Sequence, residues 1–280
     1  MNKLLAIFEL MRLNKPIGIY LLLWPALLAL VISTNGDFMY SHLLIIIIGS
    51  ILVRSAGCVI NDIWDKDLDG GVKRTKTRPI PSKKLSISES WAVFVALGAL
   101  SLVLLSLTNT NTIFISICFG LMIVLYPLTK RFFIGPQIFL GLTFNPTIIV
   151  YAMTNELNNP TMIFLYLAVA AKTIAFDSFY GLCDIEDDKK LGINSTPLWW
   201  GSNTLLIIAI LQFSVIGLLI IVGLKAELSS AWYIGIMLLS GFYFYQQRLA
   251  LQKNYLLAFK NNHWASLYLL ILSIFCFLIL

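Results

Sequence analysis

Residues 40–69 read YSHLLIIIIGSILVRSAGCVINDIWDKDLD. From Tyr40 to Asp62 the run is almost continuously apolar, with one basic side chain, Arg54, inside it. A helix of about 20 apolar residues matches the hydrocarbon thickness of a bilayer. Backbone facing lipid must satisfy its own hydrogen bonds, so such a run is helical. Four carboxylates, Asp62, Asp65, Asp67 and Asp69, follow at the end of the run. This stretch therefore predicts a spanning helix that delivers a cluster of acids to one membrane surface.

The rest of the chain is built the same way. Of its 280 residues, 59% are hydrophobic and 12% charged, and mean hydropathy is +0.85. Soluble domains run at roughly 45–50% apolar and about 25% charged. Composition thus excludes a soluble, disordered or collagen-like chain. Nine apolar runs are long enough to span: 16–34, 40–62, 88–107, 111–128, 135–153, 160–183, 203–223, 229–247 and 262–280. The expectation is an all-α integral membrane protein. Nine transmembrane helices are expected, with residues 1–280 as a single polytopic domain.

Charge orients the bundle. With a cytoplasmic N-terminus, 17 of the 20 Lys and Arg residues fall on the cytoplasmic side, and only Lys225 falls opposite. Arg54 and Lys172 lie within spans. Positive residues collect on the cytoplasmic side of membrane proteins. The net charge of +6 thus follows the membrane and does not imply a nucleic-acid partner. Lys83, Lys84, Lys253 and Lys260 read as membrane flanks. Charged Glu9, Arg12 and Lys15 precede a full-length span, which argues against a cleavable signal. The short leader leaves no room for a transit peptide, so a bacterial inner (cytoplasmic) membrane is expected.

The acids are concentrated. Asp184, Glu186, Asp187 and Asp188 follow the sixth run as the first cluster follows the second, so eight of 14 carboxylates occupy two short segments. Asn61, Asp65 and Asp69 are spaced four apart, and so are Tyr180, Asp184 and Asp188. On a helix, residues four apart share a face. Asp65 to Asp184 and Asp69 to Asp188 are the same 119-residue offset, which predicts two pseudo-repeated halves meeting at one mouth. Oxygen ligands without His or Cys favour Mg²⁺, commonly shared with substrate phosphates. Lys73, Arg74, Arg78, Lys130, Arg131, Lys189 and Lys190 lie beside the clusters. Acids, a divalent metal and basic side chains together suit a diphosphate. Asp177 stands seven residues before Asp184, as Arg54 does before Asn61, and intramembrane charges usually face a cavity or a partner. Cys58, Cys118, Cys183 and Cys276 form no CxxC pair and read as small apolar residues. His42 and His263 lack companions for a zinc or haem site.

These residues resemble the UbiA superfamily of intramembrane prenyltransferases. The segment Asn61–Asp69 fits NDxxDxxxD and is followed by Lys73-Arg74-Thr75 and Arg78-Pro79-Ile80-Pro81. The second motif is Tyr180-x-x-x-Asp184-x-x-x-Asp188, followed by Gly192-Ile193 and Ser195-Thr196. Residues 11–18, Leu21 to Pro25, Arg54 to Ile60 and Tyr126-Pro127-x-x-Lys130-Arg131 with Pro136-Gln137 resemble the 4-hydroxybenzoate polyprenyltransferase branch. The resemblance covers about residues 11–201.

It implies a nine-helix bundle around a central cavity open sideways to lipid, and Mg²⁺-dependent transfer of a polyprenyl group from polyprenyl diphosphate to 4-hydroxybenzoate, ortho to the hydroxyl, for ubiquinone biosynthesis. It implies Mg²⁺ and diphosphate held by Asn61, Asp65, Asp69, Asp184 and Asp188. Tyr126 and Lys130 match a diphosphate-contacting pair, and Arg54 matches a pocket arginine facing the diphosphate or the benzoate carboxylate. Arg12 is a further candidate for the same anion. Arg74, Tyr180 and Asp177 complete the expected substrate contacts. Two positions depart from the branch: Ile185 stands where arginine is common and Asn194 where lysine is, with Lys189 and Lys190 as the expected compensation.

The chemistry suits the residues independently of the resemblance. Ionisation of an allylic diphosphate needs a stabilised leaving charge, then an apolar wall facing the cation. With 7 Trp, 11 Tyr and 18 Phe, the spans can supply that wall. The ring proton goes to diphosphate or to a carboxylate such as Asp184. Rival readings are a relative acting on a haem, naphthoate or lipid acceptor, and a membrane transporter.

Overall fold

The computed structural model describes residues 3–71 and 74–278, so Lys73 lies outside the described residues. Among these residues every regular element is helical. In chain order they are α1 (Lys3–Leu10), α2 (Ile17–Ser33), α3 (Tyr40–Trp64), α4 (Ile87–Leu105), α5 (Thr110–Thr129), α6 (Pro136–Thr143) and α7 (Thr147–Met153). Then come α8 (Thr161–Leu191), α9 (Thr196–Trp200), α10 (Thr204–Lys225), α11 (Ser230–Leu251) and α12 (Tyr255–Leu278). Six helical segments are long and apolar enough to cross a membrane: α3, α4, α5, α8, α9 continuing into α10, and α12. The run 16–34 gives the shorter apolar helix α2.

Local chemistry sets the ends. Ser86 and Glu89 form a reciprocal capping box at the start of α4, with Glu89 N–H donating to Ser86 Oγ and Ser86 N–H to Glu89 Oε2 (3.2 and 2.8 Å). Asn109 separates α4 from α5. Its side-chain oxygen accepts from Thr112 N–H (2.9 Å), and its amide donates to Ala152 O on α7 (2.7 Å). Gly192, at φ +65°, ends α8 in the left-handed conformation that glycine adopts without penalty.

The run 135–153 corrects an expectation. It is not one helix but two, α6 and α7, parted at Phe144–Pro146. Pro146 disfavours the helical conformation for the residue before it. The freed groups find partners: Asn145 Nδ2 donates to Tyr166 O (2.8 Å), Thr147 N–H donates to Asn145 Oδ1 (3.2 Å), and Tyr166 Oη donates to Leu142 O (2.8 Å). A broken helix is tolerated at membrane depth when protein satisfies it or when it lines a cavity. Phe144, Asn145 and Pro146 do line one.

The largest packed core joins α2, α7, α8, α10, α11 and α12, with Leu30, Tyr151, Leu165, Trp232, Ile236 and Leu239 buried in it. The long helix α8 packs along α10, α12 and α6. On the other flank α3 lies against α4, and Ala6 and Leu10 of α1 pack with Val59, Ile63 and Leu97. The outer faces of α4 and α5 leave Val95, Leu100, Val103, Phe114 and Leu125 exposed, as a surface bathed in lipid requires. The two flanks enclose the cavity.

Candidate active site

The cavity has a volume of about 1380 Å³. Its apolar part is lined by residues such as Leu22, Ile46, Leu102, Leu105, Ile117 and Phe176. At one end it meets Asn61, Asp65 and Asp69 at the end of α3 and Asp184 and Asp188 on α8, and all five line it. The two acidic motifs therefore share one mouth.

Their local structures differ. On α8 the helix runs unbroken through Tyr180, Asp184 and Asp188, as the spacing predicts. On α3 it stops at Trp64, and Asp65 is its C-cap at φ −93°, ψ 6°. Asp69 thus lies beyond the helix on a turn, joined by its N–H to Asp65 O (2.8 Å). The expectation that both carboxylates sit on a helical continuation fails for this motif. Gly70 and Gly71 follow directly, and glycine is a poor helix former.

Basic side chains hold the acids. Lys130 Nζ and Asn61 Nδ2 both donate to Asp65 Oδ2, the latter over 3.1 Å. Burial raises the Asp65 pKa above the usual carboxylate range, against the opposing pull of Lys130. Arg74 donates to Asp184 through Nε and Nη2 (3.0 and 2.5 Å) and stacks over the Tyr180 ring at 4.6 Å. Burial opposes the Arg74 charge, but the bond to Asp184 together with the negative charge of Asp184 and Asp69 and the Tyr180 hydroxyl outweighs it and raises its pKa. Arg78 Nη1 donates to Asp69 Oδ2 (2.8 Å) and to Asp62 Oδ1 (3.0 Å).

Deeper in the cavity lie Arg54, Tyr126 and Asp177. The Arg54 guanidinium sits 5.3 Å from the centre of the Phe144 ring, and its Nε is buried without a partner. A Cβ on Gly18 would stand 2.3 Å from that Nε, so Gly18 leaves the space that Arg54 fills.

Among the described residues, no three His, Cys, Asp or Glu side chains converge as a ready metal site. The donors nevertheless fit Mg²⁺. They are oxygen donors from carboxylates and an amide, and Asp65 Oδ1 is buried with no hydrogen-bond partner. An orphaned buried carboxylate oxygen is costly unless a cation satisfies it.

Some expected residues play other parts. Arg12 reaches the cavity, but its Nη2 donates to both oxygens of Asp62 (2.8 and 2.7 Å). Arg131 Nη2 donates to Trp64 O (2.6 Å) and so caps α3. Lys189 and Lys190 are exposed on the last turn of α8 and are not among the residues lining the cavity, so they do not replace basic groups there. Two residues take parts that the sequence had not assigned them. Asp62, 1% exposed, is paired with two arginines. Gln137 lines the cavity and accepts Thr196 N–H (2.8 Å), tying α6 to α9. Asp62 was signalled by its place in the acidic cluster, and Gln137 by the Pro136-Gln137 pair that the branch resemblance includes.

The UbiA prenyltransferase family model matches residues 22–270. The chain belongs to the UbiA prenyltransferase family. Among UbiA relatives, a protein of Pseudomonas aeruginosa named 4-hydroxybenzoate octaprenyltransferase is 40% identical over 92% of this chain and 89% of its own length. One of the same name from Vibrio campbellii is 38% identical over 96% of each. Two solved structures share the UbiA fold. A UbiA homolog from Aeropyrum pernix, in its apo form, has a TM-score of 0.80 at 21% identity, covering 90% of this chain and 94% of that one. A UbiA homolog from Archaeoglobus fulgidus, bound to GPP and Mg²⁺, has a TM-score of 0.75 at 17% identity, covering 98% and 100%.

Proposed function

We propose that this chain transfers a polyprenyl group from polyprenyl diphosphate to 4-hydroxybenzoate, ortho to the hydroxyl, giving 3-polyprenyl-4-hydroxybenzoate for ubiquinone biosynthesis. One observation carries the reading. The two acidic motifs share the mouth of one apolar cavity, and Asp65 Oδ1 stands there without a partner. Relatives named 4-hydroxybenzoate octaprenyltransferase, at 38–40% identity over nearly the whole chain, support the acceptor.

Asn61, Asp65, Asp69, Asp184 and Asp188 would hold Mg²⁺. When bound, the metal supplies positive charge to the diphosphate oxygens as the leaving group departs. Lys130, Arg74 and Tyr126 bind and orient the diphosphate. The allylic C–O bond breaks and its electron pair leaves with the diphosphate. The apolar wall excludes water from the allyl cation, and aromatic faces such as Phe176 and Phe259 are available to it. Arg54, with Asp177 lining the same cavity, holds the acceptor carboxylate. The ring carbon ortho to the hydroxyl then forms the new C–C bond. Both Asp184 oxygens are engaged by Arg74, which favours the departed diphosphate as acceptor of the ring proton.

The reading includes one polytopic domain over residues 1–280, nine membrane crossings in two related halves, and an α6–α7 pair serving as one broken crossing. It places the chain in a bacterial inner membrane with the N-terminus and the mouth on the cytoplasmic side, where a soluble acceptor meets a lipid-borne tail.

The test is product formation in membranes given 4-hydroxybenzoate, a polyprenyl diphosphate and Mg²⁺, with EDTA and Asp65→Asn as controls. A prenylated benzoate that disappears in both controls is expected. Product formed only with a naphthoate, haem or lipid acceptor would overturn the acceptor assignment. No transfer to any acceptor by folded protein would overturn the enzymatic reading.

A further inference from the structure

Asp62 belongs to the acidic cluster, yet it is engaged differently from Asp65. It is 1% exposed, and both its oxygens accept from Arg12 Nη2 (2.8 and 2.7 Å). Its Oδ1 also accepts from Arg78 Nη1 (3.0 Å). A carboxylate holding two guanidinium groups in a buried setting is already neutralised. Removing one member of such a group leaves an uncompensated buried charge, so the cluster resists rearrangement.

The same Arg78 nitrogen that bonds Asp62 also bonds Asp69 Oδ2 (2.8 Å). This matters because α3 ends at Trp64, before Asp69. Asp69 therefore lacks the helical frame that fixes Asp184 and Asp188 on α8. Its backbone is held by Asp69 N–H donating to Asp65 O (2.8 Å) and by Thr75 Oγ1 donating to Asp69 O (2.8 Å). Its side chain is held by Arg78. Arg78 in turn is aimed by Asp62, which sits on the last turns of α3 and is rigid with the helix.

We infer that Asp62 is a positioning residue: through Arg78 it sets where the Asp69 carboxylate stands, and so completes on a turn the ligand geometry that α8 completes on a helix. This rests on the reading that Asp65 and Asp69 hold a divalent ion with diphosphate. Arg12 gives the arm before α2 a share in the same task, by saturating the rest of Asp62. Outer partners of metal ligands typically change metal affinity or activity by about 10–100-fold when replaced.

The experiment measures Mn²⁺ bound to the full chain in detergent, in the presence of inorganic diphosphate, by the loss of the free-ion EPR signal. Wild type, Asp65→Asn, Asp62→Asn, Arg78→Gln and the Asp62→Asn/Arg78→Gln double variant are compared, with thermal melting to follow folding. Binding by wild type that is lost in Asp65→Asn upholds the metal site itself. Asp62→Asn is then expected to weaken Mn²⁺ binding about tenfold or more. In the Arg78→Gln background the same change is expected to add little, because the two act in series. Asp62→Glu keeps the charge one methylene further out, and intermediate affinity is expected; it serves as the probe if Asp62→Asn fails to fold. Wild-type affinity in Asp62→Asn, or full additivity with Arg78→Gln, overturns the inference and leaves the metal site standing. No Mn²⁺ binding by wild type overturns both.

Discussion

Arg74 donates two hydrogen bonds to Asp184, one to each carboxylate oxygen, and so ties the segment after the first acidic motif to the second. The two residues lie 110 positions apart in the chain. The fork geometry is specific to arginine; lysine would offer a point charge. Arg74→Lys is expected to lower kcat/KM for the polyprenyl diphosphate by about tenfold, and Arg74→Ala by about 100-fold, as charge-assisted bonds of ~1.5–3 kcal/mol imply. Initial rates over a range of donor concentrations check this. Equal activity of wild type and Arg74→Ala would remove Arg74 from the site.

Asp65 should separate function from folding most sharply. Its Oδ1 has no partner and its burial disfavours the charge, so the residue is held ready for a cation. Asp65→Asn is expected to reduce turnover by at least ~10²-fold, the scale of losing one electrostatic stabiliser at a leaving group. Melting in detergent without divalent ions should show little loss of stability. A fully active Asp65→Asn would contradict the assignment.

How far the sequence could be read depended on whether the determinants were local. Apolar length showed the helices, and the four-residue spacing brought Asp65, Asp69, Asp184 and Asp188 to one mouth. Equal spacing did not mean equal structure. The helix carrying Asp184 and Asp188 continues to Leu191, whereas the one before Asp69 stops at Trp64. Length and apolarity were also blind to the break at Asn145–Pro146, whose polar groups are satisfied by Tyr166 on another helix. The task of Arg12 was illegible for the same reason. Its partner, Asp62, lies 50 residues away, and only the fold decides which carboxylate a given arginine meets.

Gly18 offers a test of Arg54 that leaves Arg54 in place. An alanine Cβ would fall 2.3 Å from Arg54 Nε and 2.7 Å from Nη2, and the flexible guanidinium must yield. Gly18→Ala is expected to raise KM for 4-hydroxybenzoate about tenfold, equivalent to ~1.4 kcal/mol, with a smaller effect on KM for the donor. Steady-state kinetics with each substrate varied in turn decide it. A change confined to the donor would place Arg54 on the diphosphate.

The core away from the mouth should control stability alone. Trp232 is fully buried and donates from its indole nitrogen to Leu219 O (2.9 Å). A Cβ on Gly223 would lie 2.4 Å from its Cδ1 and 2.6 Å from its Nε1. Gly223→Ala is expected to destabilise the bundle by ~1–3 kcal/mol through overpacking. Thermal melting should show a lower Tm, while KM for both substrates in the folded fraction stays at the wild-type value.

The two departures from the branch pattern are not equivalent, and their positions predict which one matters. Asn194 lines the cavity beside the mouth, and its backbone N–H donates to Lys130 O (2.9 Å). Ile185 is not among the lining residues, although its neighbour Asp184 is. A lysine at 194 would bring a cation to an anion-binding mouth; an arginine at 185 would sit outside that lining. Asn194→Lys is therefore expected to lower KM for the polyprenyl diphosphate several-fold, with an effect that fades as salt screens the added charge over a Debye length of ~10 Å at 0.1 M. Ile185→Arg is expected to leave KM within about twofold of wild type, because a charge at this half-buried position lies outside the cavity lining and gains little from the bound diphosphate. The check is donor KM for both variants at low and high ionic strength. A gain from Ile185→Arg with none from Asn194→Lys would mean that the diphosphate lies on the α8 side of the mouth, away from the loop that holds Lys130.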